Sequence, residues 1–98
     1  MAKEIVWTET SVRDRLEIFQ FWLIHNKSAV YSNKLENLFN ESVKLLAEFP
    51  QIGTPTDYQD LRVKIVRNYK LFYRDTPNRI EIIRVWDTRQ NPKDLKLG

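Results

Sequence analysis

Apolar and polar residues change their period twice along this chain. "KEIVWT" (Lys3–Thr8) is a short β-branched and aromatic run that predicts a first strand. Thr8, Thr10 and Ser11 then offer N-cap oxygens, and Ser11 with Asp14 has the Ser-x-x-acid form of a capping box. From there to about Asn26 the spacing is helical. Val12, Leu16, Phe19 and Leu23 make one apolar stripe. Ile18, Phe21, Trp22 and Ile24 carry apolar surface further round the cylinder, with Phe21 roughly opposite the stripe and Trp22 to one side. Such a helix either packs between two neighbours or offers a docking surface to another chain.

Asn26–Ser28 breaks the pattern, and Ser28 is placed to cap a second helix running to about Glu48. Its buried face is predicted to carry Tyr31, Leu35, Leu38, Phe39, Val43 and Leu46. Two such helices joined by a tight turn form an αα-hairpin. Pro50, Gly53 and Pro55 then shape a loop over Phe49–Asp57. After it the period drops to two. In "LRVKIVR", Leu61, Val63 and Ile65 alternate with Arg62, Lys64 and Val66. In "YKLFYRD", Tyr69, Leu71 and Tyr73 alternate with Lys70, Phe72 and Arg74, and Thr76–Asn78 reads as a hairpin turn. The inward face of "RIEIIRVWD" stays open, since Ile80, Ile82 and Trp86 compete with Ile83 and Val85. Asn91–Pro92 signals a turn before a short amphipathic end. The order β-α-α-β-β-β predicts one α+β domain over residues 1–98, an antiparallel sheet with the αα-hairpin packed on one face.

Charge changes this picture more than composition does. The 98 residues carry a net charge of +3, but unevenly. Residues 1–60 hold six Lys and Arg against nine Asp and Glu, whereas residues 61–98 hold ten against four. A basic second half suggests an anionic or nucleic-acid partner, against the plainer reading of a strand surface kept soluble by charge. Arg62 and Lys64 share one face of their strand, and Lys70 and Arg74 share one face of the next. If both faces lie on the open side of the sheet, four cations converge over roughly 10–15 Å. Arg84, among apolar neighbours, is as well suited to a structural ion pair as to a contact. Tyr69, Tyr73 and Trp86 could stack on bases, although packing is the commoner fate of strand aromatics. Trp7 reads as core, and Asp87 with Arg89 as a local ion pair worth about 1 kcal/mol or less if exposed.

Several chemistries are excluded or left without support. There is no cysteine, so disulfides and thiolate metal sites are out. His25 is the single histidine, and carboxylates alone would serve a hard cation at best. No metal and no cofactor is expected. No apolar run approaches the roughly 20 residues of a membrane span, and "MAKEIVW" has no signal-peptide core. A cytoplasmic protein without membrane contact is the expectation.

Three segments in order carry a resemblance: "IVWTETSVRDRLEIFQFW", "LLAEFPQIGTP" and "LRVKIVRNYKLFYRDTPNRIEIIRVWDTRQNP". Together they resemble the RelE/ParE superfamily of type II toxin–antitoxin toxins. The resemblance implies a growth-inhibiting toxin in a hetero-oligomer with a cognate antitoxin, whose contacts on the first helix would include Phe21 and Trp22. The family has two branches. The RelE-like branch implies an endoribonuclease cutting mRNA on the ribosome, with Arg62, Lys64, Lys70 and Arg89 as candidate catalytic residues around the scissile phosphate. Such cleavage needs a proton acceptor, a proton donor and cations on the phosphorane. Yet no Tyr or His follows Tyr73, and Asp87 stands where many relatives carry His. The ParE-like branch implies inhibition of DNA gyrase by binding, without catalysis. "FYR", the stretch around Asp87–Gln90 and "NPKDLKL" resemble its closing pattern, although Gln90 stands where a second Arg is common. The ParE-like reading is favoured, with Arg62, Lys64, Lys70, Arg74 and Arg89 as target contacts. The alternatives are the ribosome-dependent nuclease and, third, a non-toxic nucleic-acid-binding module.

Overall fold

The computed structural model describes residues 2–58 and 60–97. The chain runs β1 (Glu4–Trp7), α1 (Glu9–Asn26), α2 (Val30–Glu48), β2 (Thr54–Pro55), β3 (Leu61–Val66), β4 (Tyr69–Asp75) and β5 (Arg79–Asp87), then a 3₁₀ turn at Pro92–Asp94. One five-stranded sheet results, in the order β1-β5-β4-β3-β2. It is mostly antiparallel, as expected, but β1 lies parallel to β5, with Ile5 beside Ile80 and Trp7 beside Ile82. A parallel neighbour needs a long crossover, and the helical hairpin with the three strands β2, β3 and β4 supplies it. β2 is an addition to the expected order. Its two residues cover only Val63 and Arg62 of β3, and a strand holding Pro55 belongs at such an edge.

The helices pack on one sheet face. Leu35, Phe39, Val43 and Leu46 of α2 meet Val66, Tyr69, Leu71, Tyr73, Ile80, Ile82 and Val85 in the core. α2 therefore buries the predicted face, with Tyr31 and Leu38 at its margin. Its N-terminus differs from expectation. Ala29 is the N-cap residue, and Ser28 only accepts from the Val30 amide at 3.3 Å.

α1 corrects two expectations. Its N-cap is Thr8, whose Oγ1 accepts from the Ser11 amide at 3.2 Å and donates to the Ile82 carbonyl at 2.8 Å. Ser11 instead turns inward, fully buried, and donates to the Thr8 carbonyl. More consequentially, the apolar stripe faces outward. Val12, Leu16 and Leu23 are 51%, 55% and 38% exposed. The core side carries Ser11, Asp14, Ile18 and Trp22, a face narrowed by small and polar groups. Ser11 lets the helix backbone approach the sheet closely, and the sheet uses the Asp14 carboxylate, as described below. Among the described residues, no helix is long and apolar enough to cross a membrane.

The loop after α2 is held by the side chains of Tyr73 and Arg62. The Gly53 amide donates to the Tyr73 hydroxyl at 3.0 Å, which donates in turn to the Pro50 carbonyl at 2.7 Å. Arg62 donates to the Gly53 carbonyl at 2.7 Å. A Cβ on Gly53 would lie 2.3 Å from the Tyr73 hydroxyl, so only glycine permits this approach. Thr76–Asn78 makes the expected hairpin turn, tied by Thr76 and Arg79. In β5 an irregularity leaves Ile83 without a partner, since Phe72 faces Arg84 and Tyr73 faces Ile82. This bulge settles the open question about β5. It changes the phase of the strand, so Ile80, Ile82 and Val85 all enter the core.

Candidate functional site

The turn between β3 and β4 decides where the basic residues point. Only Arg67 and Asn68 separate the strands, with Arg67 left-handed at φ 57°. A two-residue turn pairs even positions of one strand with odd positions of the other. Thus Arg62 lies opposite Tyr73 and Lys64 opposite Leu71, whereas Lys70 lies opposite Ile65 and Arg74 opposite Leu61. Facing residues share a sheet face. Arg62 and Lys64 therefore stand on the helix side, and Lys70 and Arg74 on the open side. The convergence of these four cations on one face is not found.

Each cation also differs in what it touches. Arg62 is tied to the Gly53 and Gln51 carbonyls. Lys64 is half-buried and Lys70 is exposed. Arg74 lies 3.5 Å from Glu81. Arg84 takes the structural role: its guanidinium donates to both carboxylate oxygens of Asp14, at 2.8 and 3.0 Å. Asp14 also accepts from the Val85 amide at 3.0 Å. β1 ends at Trp7, opposite Ile82, so β5 has no strand neighbour on that side beyond this point. The helix carboxylate thus satisfies an edge amide that the sheet leaves unpaired.

Arg89 is where the structure does bring predicted residues together. It pairs through two contacts with Asp87, at 3.0 and 2.8 Å, and lies 5.4 Å from the Trp22 ring centroid and 5.8 Å from that of Phe21. Residues expected to serve antitoxin and target therefore adjoin. Trp22 donates to the Tyr69 hydroxyl at 2.8 Å and stands edge-on to Phe21, His25 and Tyr31. The Arg89 bonds hold the Asp87 carboxyl below its usual range. Burial raises the Tyr69 phenol, and the Trp22 bond opposes that only in part. Beside this cluster a groove of about 420 Å³ runs between α1 and the end of β5, lined by Glu17, Phe21, Tyr69, Trp86, Arg89 and Gln90 among others. Tryptophan, tyrosine and arginine around a concave surface are the composition of protein-binding hot spots. Among the described residues, no three His, Cys, Asp or Glu side chains come together as a metal site.

The outward stripe of α1 forms a second, shallower surface. Val12, Leu16 and Phe19 line an apolar groove of about 360 Å³ with Arg15 and Glu36. Arg15 forms an ion pair with Glu36 and sits 4.1 Å over the Trp7 ring, fixing α1 against α2 and β1. The helical period revealed this stripe in the sequence; its outward direction depends on the Asp14–Arg84 pair, whose members are 70 positions apart.

The family described as "ParE toxin of type II toxin-antitoxin system, parDE" matches residues 5–92. The chain belongs to this ParE toxin family. Among solved structures, the chain is similar to one titled the chromosomal ParDE toxin–antitoxin system from P. aeruginosa. The TM-score is 0.76 at 18% identity, over 88% of this chain and 96% of that one. It is also similar to one titled the toxin–antitoxin complex RelBE2 from Mycobacterium tuberculosis. There the TM-score is 0.61 at 17% identity, over 89% and 99% of the two chains. At such identities the likeness is one of fold, and the ParDE structure fits this ParE family member better than the RelBE2 structure does. No curated protein matches the sequence.

Proposed function

We propose that this ParE family member is the toxin of a type II module, arresting growth by binding DNA gyrase in the cytoplasm until a cognate antitoxin captures it. The observation that carries the choice over RNA cleavage is the β3–β4 register. Stabilising a phosphorane requires several cations aimed at one phosphate. Arg62 and Lys64 stand on one sheet face and Lys70 on the other, and Arg89 is engaged by Asp87. A nuclease site built from these four residues lacks a common centre. Binding a protein target makes no such demand, so Lys70, Arg74 and Arg89 remain the proposed target contacts. Arg62 serves the loop at Gly53, and Lys64 lies on the helix side.

The antitoxin is placed on α1. Phe21 and Trp22 supply an aromatic patch on one flank, and the outward stripe of Val12, Leu16 and Leu23 offers a second, separate apolar surface suited to an amphipathic segment.

The test is a supercoiling assay with purified gyrase. The expected result is inhibition by the chain and relief by its antitoxin. Harmless expression in cells without antitoxin would refute the toxin reading. Growth arrest with new transcript ends at ribosomal A sites and unaffected supercoiling would replace gyrase binding with RNA cleavage.

A further inference from the structure

The open face of the sheet carries no helix, yet two of its aromatics are hidden. Lys70, Phe72 and Arg74 of β4 face Trp86, Arg84 and Glu81 of β5 on that side. Phe72 is 5% and Trp86 6% exposed, and neither belongs to the core cluster under the helices. A sheet face open to water leaves such rings far more accessible, so another part of the chain must lie over them.

The segment after β5 is the candidate cover. It turns at Asp87–Gln90, forms the 3₁₀ turn with Asn91 capping the Lys93 amide, and brings the Lys96 carbonyl to Arg84 Nη1 at 3.0 Å. Leu95 and Leu97 are half-buried, whereas Pro92, Lys93 and Asp94 are exposed. Arg84, which receives the segment, also lies 5.6 Å from the Trp86 ring centroid. Among the described residues, that Lys96 contact is the sole hydrogen bond from Asn91–Leu97 to the rest of the protein. The guanidinium making it is anchored on α1 through Asp14. One polar contact and two leucines are a weak hold, of the kind found in segments that open locally.

We propose that Asn91–Leu97 is a displaceable strap over a protein-docking face formed by Lys70, Phe72, Arg84 and Trp86. Its replacement is an acidic-surfaced protein, the target of the toxin. This rests on the growth-arrest reading above. Aromatic rings beside a cation give apolar anchoring within a charged rim. Lys70 is exposed and, among the described residues, has no ion-pair partner, which favours an acidic surface. Arg84 and Arg74 are engaged by Asp14 and Glu81, which leaves too little free positive charge for phosphate-driven binding of nucleic acid.

The experiment compares the full chain with a version ending at Gln90. Hydroxyl-radical footprinting read by mass spectrometry reports Trp86 and Phe72 individually, with thermal melting in parallel. The expected result is low oxidation in the full chain and a rise of about fivefold or more after truncation, with a cooperative melt retained. Unchanged protection would show that the segment does not cover these rings, and loss of cooperative melting that it is part of the fold; either result overturns the strap. In cells, the truncated chain should still arrest growth and Lys70→Glu within it should abolish the arrest; arrest as strong as the parent's would overturn the docking face. Growth arrest does not depend on which protein is the target. Arrest without inhibition of supercoiling would therefore sink the gyrase reading and leave the strap standing.

Discussion

Asp14→Ala should be among the most damaging single changes in this protein. The carboxylate is buried and holds three donors at once: two from Arg84 and the Val85 amide. The side chains of the pair are 10% and 18% exposed, so water replaces little of what is lost. Removing one member of a buried pair costs about 3–5 kcal/mol, mostly because the other charge is left stranded. Orphaning the Val85 amide at the sheet edge costs about 1–3 kcal/mol more, though the two losses overlap. A total near 4 kcal/mol is expected, against a stability of about 5–15 kcal/mol for a domain of ordinary size. At roughly 4–8 °C per kcal/mol for a chain of this length, the melting temperature should fall by about 15 °C or more.

Asp14→Asn separates the two parts of this loss. The amide oxygen can still accept from Val85, but the charge that neutralises Arg84 is gone, so the cost should be smaller, about 2–3 kcal/mol. Arg84→Met together with Asp14→Ala completes a double-mutant cycle in urea unfolding. Residues in direct contact of this kind couple by about 0.5–3 kcal/mol, and this pair should lie in the upper half of that range. If Asp14→Ala loses less than about 1 kcal/mol, or the cycle shows no coupling, the claim that Asp14 sets the direction of α1 is wrong.

Four further outcomes follow from the same geometry. Gly53→Ala drives a methyl into the Tyr73 ring, where the nearest atoms lie at 2.3–2.8 Å, and should cost about 1–3 kcal/mol in chemical denaturation. Leu16→Glu with Leu23→Glu, on the exposed stripe of α1, should leave the melting temperature nearly unchanged, within about 0.5 kcal/mol per site, yet abolish antitoxin capture by calorimetry. At alkaline pH, burial raises the phenols of Tyr69 and Tyr73 above their ordinary value of 10.0. The unfolded chain then releases their protons first, so stability present below about pH 10 should fall as pH rises through the folded values, and Tyr69→Phe should flatten that limb. Arg89→Gln removes the partner that depresses Asp87; the carboxyl titration followed by NMR should move upward, and the acid-side stability the pair contributes should disappear as its pKa returns toward 3.8.

What could be read in the sequence, and what could not, divides by the range of the interaction that decides it. The two helices, the strand runs of the C-terminal half and the Thr76–Asn78 turn are set by neighbours within a few positions. Alternation and turn residues therefore revealed them. The direction of α1 is different. A hydrophobic count assigns Val12, Leu16 and Leu23 to the core, because it gives no weight to a buried carboxylate. That carboxylate becomes a core residue once Arg84, 70 positions away, stands beside it. β5 shows the same limit at shorter range: its apolar residues fit no single alternation until Ile83 is recognised as an extra residue.

The basic strands are the sharpest case, because each strand's alternation is legible on its own. Arg62 and Lys64 do share a face, and so do Lys70 and Arg74. Whether the two faces coincide depends on the parity of the turn between the strands, not on either strand. Two residues at Arg67–Asn68 place even positions opposite odd ones, so Arg62 and Lys64 stand opposite Tyr73 and Leu71 and not beside Lys70 and Arg74. That count also bears on function. It gathers Lys70 and Arg74 with Phe72 and Trp86 on the open face, and leaves Arg62 to hold the Gly53 loop. A four-cation phosphate site gives way to a mixed aromatic and basic surface, and such a surface is suited to gripping a protein.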